Sequence, residues 1–164
     1  MFATHPEVTR SAGFGRHEFS RHAAAGHASL GLTLGAVLVA LATCGGVYGT
    51  APLFAVRVGF RDRHHLARAL ARDGLPALEE LAAWVRTAAW VMHSEQYGTP
   101  LHRLAIQAGI DPAICYRTVR RLTSANWGEV RERGVAWVLQ QLRARCRIRA
   151  ALDVRRGADG TATG

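Results

Sequence analysis

The chain has 164 residues, 49% of them apolar, and a formal net charge of +9. That is one domain's worth of core, too apolar for a disordered polyelectrolyte. Three cysteines, Cys44, Cys115 and Cys146, form no even set and no close spacing, which excludes a disulfide framework and a zinc pattern.

Residues 1–27 are polar and mixed and read as a lead-in. His17, His22 and His27 are five apart, a spacing that spreads them around a helix and suits a metal poorly. Residues 28–48 carry no charge and are about as long as a bilayer span requires. Three readings fit that stretch. It is a transmembrane helix, a helix buried against the rest of the chain, or a signal-like segment or mis-assigned start. Leu41-Ala42-Thr43-Cys44 is similar to a lipoprotein cleavage box, with threonine a poor residue before the cysteine.

From Gly49 onward one pattern is written twice, about fifty residues apart. Gly49 to Phe60 is followed by Asp62 to Gly74; Gly98 to Ile110 is followed by Asp111 to Thr123. Aligning Asp62 with Asp111 puts Arg68 on Arg117, Arg72 on Arg121, Leu66 on Cys115 and Leu70 on Val119. Each copy reads as a short helix, a tight turn at Gly59 or Gly109, and a second helix. Thr50 and Thr99 are the expected caps of the first helices; Asp62 and Asp111 are those of the second, with Pro112 at N1. Ala55 and Ala105 are small where two helices cross closely.

Pro76 opens a connecting helix over about Ala77 to Tyr97. Leu78, Leu81, Ala82, Val85, Ala89 and Met92 mark one apolar face, extended by Trp84 and Trp90. A last helix is expected from Glu129 to about Leu142, interrupted by Gly134, and residues 147–164 read as a basic, unstructured tail.

The basic residues are all arginine, 21 of them, and they follow the repeat. Residues 1–56 hold three arginines and two acids; residues 57–164 hold eighteen arginines and ten acids. Charge concentrated on the repeated unit points to a polyanion, and arginine suits phosphate and guanine recognition. The second helices are the expected readers, over about 62–73 and 112–123. On the first, Leu66 and Leu70 face inward while Arg61, Arg63, His64, Arg68 and Arg72 face out. On the second, Cys115, Val119 and Leu122 face inward while Ala113, Tyr116, Arg117, Arg120 and Arg121 face out. Arg63, His64, Ala113 and Tyr116 lie early enough to reach base edges, and the remaining arginines to touch bases or phosphates. The cluster Arg143, Arg145, Arg147 and Arg149 is either a further backbone contact or an exposed tail.

Residues 49–145 resemble the DNA-binding domain of the AraC/XylS family of bacterial transcription regulators. The run Gly59-Phe60-Arg61-Asp62-Arg63-His64-His65-Leu66-Ala67-Arg68-Ala69-Leu70-Ala71-Arg72 is similar to the family signature, with leucines for both phenylalanines. Arg121-Leu122-Thr123 and Trp127-Gly128-Glu129-Val130-Arg131 resemble its closing elements, with Ser124 in place of glycine and Trp127 in place of proline. The resemblance implies an all-α fold of two helix-turn-helix units on a long central helix, binding double-stranded DNA in the cytoplasm. The family usually adds an effector domain, for which the 48 residues before the repeat are too few.

The division expected is thus 1–48, a segment with the apolar stretch; 49–146, the double unit; and 147–164, the tail. No nucleophile with an adjacent base, carboxylate pair, metal set or phosphate loop emerges, so no catalytic residue, metal or cofactor is expected. The alternative of another class is a small membrane-anchored helical interaction protein whose arginines meet anionic lipid headgroups.

Overall fold

Glycines and aspartates in the sequence set the helix boundaries. The computed structural model describes the backbone of residues 32–159 and the side chains of residues 35–146. The elements among them are α1 (Leu32–Thr43), α2 (Ala51–Arg57), α3 (Arg63–Arg72), α4 (Leu78–Tyr97), α5 (Leu101–Gln107), α6 (Pro112–Thr123) and α7 (Trp127–Asp159). The described chain is all-α, with no strand. The histidines at 17, 22 and 27 and residues 160–164 lie outside the described residues.

The apolar stretch contributes α1, which packs on α4 and α3. Val37, Leu38, Leu41 and Ala42 are buried there. Full burial of an aliphatic side chain of this size is worth about 1.5–3 kcal/mol. The helix stops after 12 residues in a Gly45–Gly46 turn, whose Gly46 carbonyl accepts a 2.8 Å bond from Arg86 Nη2. Twelve residues rise only about 18 Å, against about 30 Å for a hydrocarbon core. No helix among the described residues is long and apolar enough to cross a membrane. Of the three readings of this stretch, its described part is a helix packed on the rest of the chain; residues 28–31 lie outside the described residues.

The 20-residue α4 is the centre of the packing. It touches α1, α5, α6 and α7. The single apolar face expected from its periodicity is too narrow a description. Leu81, Ala82, Val85 and Met92 are buried as expected, with Trp84 and Trp90 beside them, but so are Ala83, Thr87, Ala88, Val91 and Ser94. Leu78 and Ala89, assigned to the face, are only half-buried. Helices cover α4 from several sides, so small and polar residues are enclosed along with the large apolar ones.

The last helix begins in a reciprocal cap. Asn126 N–H donates to Glu129 Oε2 at 2.9 Å, and Glu129 N–H donates to Asn126 Oδ1 at 3.0 Å. Gly134 breaks the helix with φ 79° and ψ 174°. Val130 before the break and Val138, Leu142 and Cys146 beyond it form the buried line against α4. The helix then runs to Asp159, where an unstructured tail was expected from residue 147. No proline or glycine stands between Gly134 and Gly157, and alanine, leucine and arginine are strong helix formers.

Candidate functional site

The repeat folds into two helix pairs, α2–α3 and α5–α6, with matching turns. Gly59 and Gly109 both have positive φ, 86° and 67°. In the first pair Gly59 N–H donates to the Val56 carbonyl at 3.0 Å and Phe60 N–H to the Ala55 carbonyl at 2.8 Å. In the second, Gly109 N–H donates to Ile106 at 3.0 Å and Ile110 N–H to Ala105 at 2.9 Å. This double closure needs a left-handed residue, which glycine adopts without a Cβ penalty. Ala55 and Ala105 are fully buried at the equivalent positions, as close helix crossing requires.

Aspartates start both second helices. Asp62 accepts from the backbone N–H groups of His64 and His65, each at 2.8 Å. Asp111 accepts from Ala113 N–H at 2.8 Å. The His65 N–H chiefly holds the Asp62 carboxyl below its ordinary range; slight burial opposes this, and the His64 N–H adds to it. The first helices differ from expectation. Thr50 stands at the N-cap of α2 but makes no side-chain cap bond, and the N-cap of α5 is Pro100 rather than Thr99. Extended backbone at Thr50 and Pro100, and Pro52 in the first turn of α2, set these starts instead.

The second helices are amphipathic in the same sense. Leu66, Ala69 and Leu70 of α3 are buried, as are Cys115 and Val119 of α6, while Leu122 is half-buried. Outside lie His64, Arg68 and Arg72 on α3, and Ala113, Arg117 and Arg121 on α6. Each row is spaced by four residues, which keeps it on one helix face with about 6 Å between steps. All ten residues selected from the sequence are exposed: Arg61, Arg63, His64, Arg68, Arg72, Ala113, Tyr116, Arg117, Arg120 and Arg121.

Two of them have local engagements. Arg72 Nε lies 3.0 Å from Asp73 Oδ1 in an exposed ion pair. Arg63 Nε donates to His64 Nε2 at 3.3 Å. Arg61, Arg68, Arg117, Arg120 and Arg121 form no ion pair with any described residue, so their charge faces solvent. His65 is turned toward Phe60, ring edge to face at 5.6 Å.

The same surface includes Ile114, 48% exposed on α6 between Ala113 and Tyr116. It was not among the residues selected from the sequence. Its position one residue before buried Cys115 is the signal, since neighbours on a helix point about 100° apart. Among the described residues no group of three His, Cys, Asp or Glu is placed to hold a metal.

No protein-family model, no curated protein and no solved structure matches this chain.

Proposed function

We propose that the chain binds double-stranded DNA as a transcription regulator, with α2–α3 and α5–α6 acting as two helix-turn-helix units. The observation that carries this reading is the pair of equivalent exposed rows, His64-Arg68-Arg72 and Ala113-Arg117-Arg121, on two helices with equivalent caps and turns. An α-helix fits the major groove, and its first turns reach base edges. Arg63, His64, Ala113 and Tyr116 are the base-edge candidates, and exposed Ile114 is suited to a thymine methyl. Arg61, Arg68, Arg72, Arg117, Arg120 and Arg121 serve the backbone or guanine. The resemblance to AraC/XylS regulators supports the same reading.

The test is the affinity of the full chain for mixed-sequence duplex DNA across a salt series, beside an Arg68→Ala, Arg117→Ala double variant. Binding that falls steeply with salt is expected. The slope of log K against log salt should be shallower by about two in the variant, since each lost phosphate contact removes about one. Both side chains are exposed, so helicity is expected to stay the same. Absence of binding at low salt by a folded, helical protein overturns the reading.

A further inference from the structure

A cavity of about 320 Å³ opens where the end of α6 meets α4 and α7. It is lined by Glu80 and Trp84 of α4, Arg121 and Leu122 of α6, Ser124 just after α6, and Arg145 of α7. Trp84 is only 3% exposed, and its indole Nε1 is buried without a hydrogen-bond partner. A buried donor left unpaired costs about 1–3 kcal/mol. Arg121 forms no ion pair with a described residue, while Arg145 Nε holds Glu80 Oε1 at 3.0 Å. The hydroxyl of Ser124 is a further donor. Ser124 has φ 57°, and no other non-glycine among the described residues has positive φ.

The charges decide the kind of ligand. Two guanidinium groups face one carboxylate, leaving one positive charge at the cavity. The C-terminus of α6 adds a partial negative charge of roughly half a unit, which reduces this excess without cancelling it. The indole N–H is a buried donor without a partner, Arg121 and the Ser124 hydroxyl add exposed donors, and Glu80 is already held by Arg145. We infer that this cavity is an oxyanion site, which takes a phosphate group or a small carboxylate between Arg121, Arg145, Ser124 and the Trp84 indole. The oxyanion has two sources, a free small molecule or one phosphate of a nucleic-acid backbone. Its occupant would tie the last turn of α6 to α4 and α7.

The site is tested by calorimetric titration of the full chain with inorganic phosphate, at ionic strength held constant with chloride. Saturable binding at one site is expected. Arg121→Gln should weaken it roughly tenfold, the scale of one charge-assisted hydrogen bond. Trp84→Phe, which keeps the packing and removes the donor, should weaken it several-fold. Glu80→Gln should tighten it by removing the competing carboxylate, a gain that a misfolded variant cannot produce. A short duplex added as competitor separates the sources. Displacement of phosphate by duplex assigns the site to a backbone phosphate; unchanged phosphate affinity in its presence assigns it to a free ligand. The phosphate titration stands even if the duplex does not bind, so failure of the DNA reading is distinguishable. Heats that do not saturate, or that are identical in wild type, Arg121→Gln and Glu80→Gln, overturn the inference.

Discussion

At the scale of single residues, Ser124 is in conflict with its own backbone. A side chain in the left-handed region crowds the neighbouring carbonyl, at a cost of about 1–2 kcal/mol. The conformation is imposed by the close of α6, where Ser124 N–H donates to the Arg120 carbonyl at 2.8 Å. Gly98, which closes α4 in the same conformation, carries no such penalty. Ser124→Gly is therefore expected to raise stability by about 0.5–1 kcal/mol, after the flexibility of unfolded glycine is deducted. Its denaturation midpoint measures this. If the hydroxyl is a ligand-facing donor, the same variant binds phosphate more weakly, and the two effects have opposite signs. Strain at a ligand-facing position is a known association, here inferred from an observed φ.

At the scale of elements, the break in α7 is held by one carboxylate. Val135 N–H, the first donor after the break, bonds to Glu95 Oε1 at 3.0 Å. Gly134 itself lies in a backbone region almost exclusive to glycine. Gly134→Ala is expected to cost about 1–3 kcal/mol, and Glu95→Gln less, because an amide oxygen still accepts the bond. Equal losses in urea denaturation would show that the carboxylate charge, rather than the bend, governs the join. These elements also show what was legible in sequence. The Asp62 and Asp111 caps, the Gly59 and Gly109 turns, the connecting helix and the break at Gly134 each depend on a few adjacent residues, and were readable. One buried side of α4 was readable too, but its enclosure on the other sides was not, because periodicity reports a single face. The end of α7 was misread because dense arginine resembles a tail, although nothing there breaks a helix. The cavity was invisible because its parts come from three elements; Glu80 and Arg145 are 65 residues apart. The outward residues of α3 and α6 were legible because the repeat displayed them twice.

At the scale of the whole molecule, the three thiols report on packing. Cys115 and Cys146 are buried, and Cys44 is half-buried in the turn after α1. Burial pushes the Cys146 thiol up to about 11; nearby Glu80 adds to this and Arg145 opposes it. Burial also raises Cys115, with Arg86 opposing. A thiol at about 11 is thiolate in about one molecule per thousand at pH 8, and the thiolate is the reactive form. A thiol reagent at that pH should therefore label Cys44 first in the native protein and all three cysteines after denaturation. Rapid native labelling of Cys146 would mean that α7 does not stay seated on α4.

The enclosure of α4 has a further effect, on phase. The helix joins the two pairs, so its residue number sets both their separation and the angle between their arginine rows. One inserted residue advances a helix by 1.5 Å and turns it by about 100°. In a helix with an open side such a slip can be absorbed by turning solvent-facing positions. Here Ala83, Thr87, Ala88, Val91 and Ser94 leave almost no idle side, so an insertion must bring misfit residues into the core. The angular setting of Arg68 against Arg117 is thereby fixed by hydrophobic packing at a distance from either row, and length changes are confined to the turns outside α4.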